Sequence, residues 1–194
     1  MGDPERIRSI LAFVQEAERL KDTLRSGFTR QGNPESVAEH SWRLCLLVIL
    51  FEKELPGLDM LKLLKLCILH DLGEALSGDV PAIHQTADNG ARQMRERLDL
   101  VTLCKPLPVD LQGEVLALWD EYCEATTPEA IFAKGFDKIE TMLQHLIGGN
   151  PADFDFAFNL GYGRERTGAH PLLAQIRELV DEATTARAKE NGQL

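Results

Sequence analysis

Apolar residues recur along this chain at three- and four-residue intervals, and no stretch alternates convincingly. Such spacing gathers them on one side of a helix and predicts helices over nearly the whole length. The first runs from about Glu5 to Leu24, with Ile7, Ile10, Leu11, Val14, Ala17 and Leu20 on one face. Arg25 to Pro34 holds Gly27, Gly32 and Pro34 and reads as a loop. Ser36 followed by Glu39 fits a capping box, in which each side chain satisfies the other residue's free backbone N–H. A second helix starts there, with Val37, His40, Leu44, Leu47, Val48 and Phe51 facing inward. Pro56-Gly57 ends this helix or the turn after it. Asp59 caps a third helix, whose inner face carries Leu63, Leu66, Cys67 and His70.

Gly78-Asp79-Val80-Pro81 marks a turn, and the segment to about Asn89 reads as loop. A charged helix follows from about Gly90 to Leu103, and after Pro106 and Pro108 an amphipathic one from Leu111 to Tyr122. Thr127-Pro128-Glu129 opens a helix that reaches Ile147, where Gly148-Gly149-Asn150-Pro151 ends it. Asp153 to Gly168 is rich in aromatics and glycine and matches no element. A last helix covers about Pro171 to Ala188. With no repeat and no linker, the pattern predicts an all-α, single-domain bundle of about six to eight helices.

At 194 residues and 44% hydrophobic, the chain is long enough to bury a substantial core. Its net charge of −10 disfavours a nucleic-acid polymer as partner, because such binding draws on Lys and Arg at the phosphates. A small nucleotide needs only one or two local arginines. Cys45, Cys67, Cys104 and Cys123 are widely spaced, which fits buried free thiols in a reducing cytoplasm. The polar start of the chain has no signal-peptide core, and the longest apolar run, Leu44 to Phe51, is too short to span a membrane.

The chemistry centres on His70-Asp71, where an apolar helix ends in an imidazole beside a carboxylate. Glu74 and Asp79 follow closely. Imidazole nitrogen and carboxylate oxygen together suit divalent transition metals. A core His beside an Asp that caps the next helix would give the same letters. His40 is a second inward imidazole on a separate helix, and two such groups are hard to explain by packing alone. A further ligand could come from Asp137, beside the small residues Ala130, Ala133 and Thr141, yet a solvated helix face accounts for it equally well.

His40, His70-Asp71 and the distant Asp137 resemble the motif of the HD-domain metal-dependent phosphohydrolases. Pro34 to Trp42 and His70 to Pro81 are similar to the 5′-deoxynucleotidase branch, and the likeness runs from about Arg19 to Leu146. The resemblance implies one domain of this type over residues 1–194, with a motif core at about 19–146. It implies one divalent ion, whether Mn, Co, Zn, Fe, Ni or Mg, held by His40, His70, Asp71 and Asp137. It makes Glu74 the acid that assists the attacking water or the leaving group, and Asp79 an acid near the sugar or leaving group. Arg25 matches the phosphate-binding arginine, and Arg30 is a second candidate for substrate binding.

Some relatives carry tryptophan directly after the Arg25 position, where this chain has Ser26, so that source of deoxyribose preference is missing. The resemblance points to a 5′-nucleotidase acting on nucleoside or deoxynucleoside monophosphates, and to self-association as a homodimer. Two other readings stand beside it. One is an HD phosphohydrolase for nucleoside triphosphates or a guanosine tetraphosphate-like alarmone, disfavoured by the few cations in the motif segments. The other is a non-catalytic metal- or nucleotide-binding regulator, disfavoured by an intact Glu74. His84 and His145 are expected in surface or core roles.

Overall fold

A computed structural model describes residues 2–84 and 89–194. Among them are seven helices of ten or more residues, two single-turn helices and one short ribbon of two strands. Helix α1 spans Pro4–Ala17, with the Asp3 carboxylate accepting from the Glu5 N–H and proline at its first position. It ends sooner than the apolar pattern suggests and passes into a 3-10 turn, Glu18–Lys21. Its predicted face is also rotated. Ile10, Phe13 and Ala17 pack inward beside Leu20, whereas Ile7, Leu11 and Val14 stay exposed. Phe13 decides the rotation, because an aromatic ring buries more area than the aliphatics on the neighbouring arc.

The stretch read as a loop contains an antiparallel ribbon of β1, Leu24–Phe28, and β2, Pro34–Ser36. Leu24 pairs with Ser36 and Phe28 with Pro34, with an irregularity between. Strands this short and bulged leave no alternation to read. The features that suggested a loop still do their local work. Gly32 turns the chain at φ 82°, and Pro34 sits on an edge strand that tolerates its missing N–H.

Helix α2, Val37–Leu50, begins with both halves of the capping box in place. Helix α3, Met60–Leu69, is capped by Asp59, which accepts from the Lys62 N–H. It stops at His70, and a tight turn leads to the single-turn helix α4, Glu74–Ser77. Gly73 occupies that turn, and α5, Asn89–Leu103, lies against it. A Cβ on Gly73 would stand 2.6 Å from the Glu96 carbonyl oxygen of α5. Gly73→Ala should therefore push α5 away and lower stability by about 1–3 kcal/mol. An unchanged urea midpoint would show that α5 does not rest on this turn.

Helix α6, Val109–Glu124, leads to α7, Pro128–Ile147, the most buried helix of the bundle. Thr127 caps α7, which packs against α2, α3, α6 and β1. It also packs against the single-turn helix α8, Arg164–Thr167, and against α9, Pro171–Glu190. Gly135 admits Leu173 of α9 so closely that an added Cβ would sit 2.3 Å from its Cδ1. The unassigned segment from Asp153 to Gly168 folds as a 3-10 turn, Ala157–Leu160, followed by α8. Its organiser is Arg177 of α9, buried beneath it. That guanidinium donates to the carbonyls of Tyr162, Asn159 and Leu160 at 2.6, 2.8 and 3.1 Å and pairs with Asp181. One fork of five donors thus replaces the hydrogen bonds a regular element would supply.

No helix among the described residues is long and apolar enough to cross a membrane. Part of the expected loop before Asn89, and the side chain of His84, lie outside the described residues.

Candidate active site

Helices α2, α3 and α7 each bring one ligand-type side chain to a common point. His40, His70 and Asp137 present ligand atoms that lie within 4.8 Å of one another, and all three are buried. His40 Nε2 is 3.2 Å from Asp137 Oδ1 and 3.9 Å from Asp71 Oδ2. His70 Nε2 is 3.0 Å from Asp71 Oδ2 and 3.9 Å from Asp137 Oδ1. All four residues of the HD pattern therefore face one small volume.

The outer nitrogens fix the tautomers. His40 Nδ1 donates to the buried Glu140 carboxylate, which is held in turn by Arg43 of α2. His70 Nδ1 donates to the Cys67 carbonyl at 2.8 Å. In the neutral imidazoles both Nε2 atoms then carry lone pairs, and neither has a hydrogen-bond partner although both are buried. Two nitrogen lone pairs aimed at two carboxylates repel unless a cation or a proton lies among them. Burial and Arg25 work against protonation of His40, yet Glu140 and Asp137 prevail and push it up to about 9. Burial likewise opposes ionisation of Asp71, but His70 and Arg25 hold it down at about 2. Two imidazoles oriented from behind and two ionised carboxylates suit one divalent ion.

Asp137 divides its oxygens. Oδ1 turns to the histidines, while Oδ2 accepts from the Tyr122 hydroxyl at 2.7 Å and from Lys138 Nζ at 2.9 Å. Tyr122 also lies against His70, with ring centroids 4.9 Å apart.

Arg25 reaches the cluster from β1. It approaches Asp71 at 3.4 Å and Glu35 at 3.5 Å and donates to Thr141 Oγ at 2.9 Å. Glu74, at the start of α4, is buried, and its Oε2 has no partner. Burial, with Asp71 and Asp79 adding repulsion, pushes its carboxyl up to about 10. Asp79 is half-buried and is raised too, by burial above all. Arg30 does not join them; it is exposed in the turn between β1 and β2. His145 is a buried wall residue whose Nδ1 pairs with Asn159 Oδ1 at 3.0 Å.

The sequence reading missed Glu140, Tyr122 and Glu35, and assigned no role to Lys138 or Thr141. Glu140 had one available signal, since it lies a helical turn from Asp137 and so shares its face. Over the cluster opens a cavity of about 650 Å³, lined by Arg25, Ser26, Asp71, Glu74, Asp79 and Asp137 among others. Phe28, Phe154 and Phe158 give part of its wall aromatic faces. A volume of that order accommodates a mononucleotide.

The HD domain family model matches residues 17–177. The chain is 33% identical to a 5′-deoxynucleotidase HDDC2 of Dictyostelium discoideum over 142 residues, 69% of this chain and 74% of that protein. It is 29% identical to the 5′-deoxynucleotidase HDDC2 of Xenopus laevis over 193 residues, 95% of this chain and 92% of that one. A solved structure from Magnetospirillum magnetotacticum, described as a predicted metal-dependent phosphohydrolase, superposes with a TM-score of 0.80 at 29% identity, covering 98% of each chain.

Proposed function

This chain belongs to the HD domain family, and from that premise we propose that it is a metal-dependent 5′-nucleotidase. It hydrolyses nucleoside or deoxynucleoside 5′-monophosphates to nucleoside and phosphate. The observation that carries the reading is the pair of buried, unpartnered Nε2 atoms facing Asp71 and Asp137, at the floor of a nucleotide-sized cavity that Arg25 enters. The relatives named 5′-deoxynucleotidase support the choice of substrate class.

In this reading residues 1–194 act as one phosphohydrolase domain, and His40, His70, Asp71 and Asp137 hold one divalent ion. Such an ion, when bound, acidifies water and polarises a phosphoryl oxygen. The chain's own residues do the rest. Glu74, buried and protonated at neutral pH without the ion, is placed to exchange a proton with the water or the leaving group. Asp79 lies on the cavity wall, and the family resemblance supports a role for it near the sugar or leaving group. Arg25 grips phosphoryl oxygens, and its contacts to Thr141, Asp71 and Glu35 set its direction. Ser26, small and on the cavity wall, does not supply the bulk that some relatives place after the arginine, so both sugars are included. Four free cysteines support a cytoplasmic setting, and the exposed Trp42, Leu46, Ile49 and Leu50 on α2 support a homodimer.

The direct test is phosphate release from matched ribo- and deoxyribonucleoside monophosphates with Mn²⁺, Co²⁺ or Mg²⁺ added. Turnover confined to triphosphates, or none with any metal, would overturn the reading. Arg25→Ala should lower kcat/KM by about 100-fold, roughly 2.7 kcal/mol, with metal content unchanged. Arg25→Lys should fall between, because it keeps the charge and loses the fork. An unaltered kcat/KM in Arg25→Ala would remove Arg25 from phosphate binding.

A further inference from the structure

The cavity has two unlike ends, read along α7. Toward the C-terminus of that helix lie Phe28 and Phe154, close to Gln144 and His145. Toward its N-terminus the wall carries Lys134 of α7 and Arg166 of α8, with Lys138 of α7 one turn nearer the middle. Asp137 and the Arg25–Thr141 contact sit between the two ends. At about 1.5 Å of rise per residue, Lys134 stands roughly 10 Å along the helix from Thr141.

Lys134 is poorly provided for. Its ammonium lies over the Tyr122 ring, 4.8 Å from the centroid, and among the described residues it makes no ion pair. Lys138, one turn on, shares the same face and pairs with Asp137. Arg166 pairs, among the described residues, only with Glu165, at 3.6 Å in an exposed contact. Like charges one turn apart repel. Burial, with Lys138 and Arg166 nearby, holds the Lys134 ammonium below its ordinary range. Lys134 on the cavity wall, without a carboxylate of its own, and Arg166, with only an exposed one, suit a ligand anion.

We propose that Lys134, Arg166 and Lys138 form a second anion subsite, which takes the terminal phosphate of a nucleoside 5′-diphosphate. The inference rests on the nucleotidase reading of the cavity. A base stacked at the aromatic end and a first phosphate between Arg25 and Asp137 direct any further 5′-phosphate toward Lys134. A nucleoside diphosphate then binds more tightly than the monophosphate and inhibits its hydrolysis.

The test uses metal-loaded protein and two probes that resist hydrolysis, the 5′-phosphonate of deoxyadenosine with carbon in place of the 5′ oxygen, and its diphosphate counterpart with carbon both there and between the phosphorus atoms, titrated by calorimetry. In the parent the diphosphate probe should bind at least about 10-fold more tightly. Lys134→Met retains the stem over the Tyr122 ring, and Arg166→Gln alters an exposed side chain. Each should cut that advantage to about 3-fold or less. Equal binding of the two probes in the parent would overturn the proposal. So would an advantage that survives both substitutions, since it would then belong to the metal alone. The nucleotidase reading fails on a different measurement, the absence of phosphate release from monophosphates.

Discussion

His70→Ala should purify folded, without its divalent ion, and release phosphate from nucleoside monophosphates at least about 10³-fold more slowly than the parent. His70 is the imidazole whose Nε2 lies 3.0 Å from Asp71, and the Cys67 carbonyl orients it from behind. Alanine removes a ligand and leaves Asp71 and Asp137 facing each other with one nitrogen fewer. Helix α3 ends at this residue, and alanine keeps the backbone N–H that donates to the Leu66 carbonyl, so the substitution interrupts no helical hydrogen bond. Metal content by mass spectrometry, circular dichroism and phosphate release together check the expectation. Full metal content in a folded variant would sink the four-ligand assignment.

Glu74→Gln should behave in the opposite way, keeping the metal and the substrate while kcat falls by about 10²–10⁴-fold. The amide matches the carboxyl in shape, so the packing of α4 against α5 survives. What it lacks is a proton to exchange. Glu74 meets the conditions for that task, being buried, unpartnered at Oε2 and beside Asp71 and Asp79. A kcat within a few-fold of the parent, about 1 kcal/mol or less in barrier, would show that Glu74 only fills space.

Much of this arrangement was legible in the chain because its determinants are local. The box of Ser36 and Glu39 sets the start of α2, and a fixed start fixes which residues face inward. His40 and His70 follow from phase alone. Asp137 did not, since its helix buries polar and apolar residues alike and spacing could not rank them. The resemblance to a known family supplied it. The β1–β2 ribbon was hidden by its brevity, and the fold around Arg177 by its dependence on a single side chain from α9. The cation count also changed on folding. The motif segments show only Arg25 and Arg30, whereas the cavity draws Lys134, Lys138 and Arg166 from further along the chain and leaves Arg30 outside.

The pairing of His40 with Glu140 joins residues 100 apart, and Arg25 meets Thr141 across 116. Contacts of such span close late, because the entropy of a long loop must be met before they contribute. As the chain emerges from the ribosome, α2 and α3 are available to pair well before α7 exists. During that interval both imidazoles lie on an open apolar surface with no Asp137 between them. Assembly of the proposed metal site thus belongs to the final stage of folding, and a nascent chain arrested before Asp137 would have neither the complete candidate ligand set nor the Thr141 partner that orients Arg25.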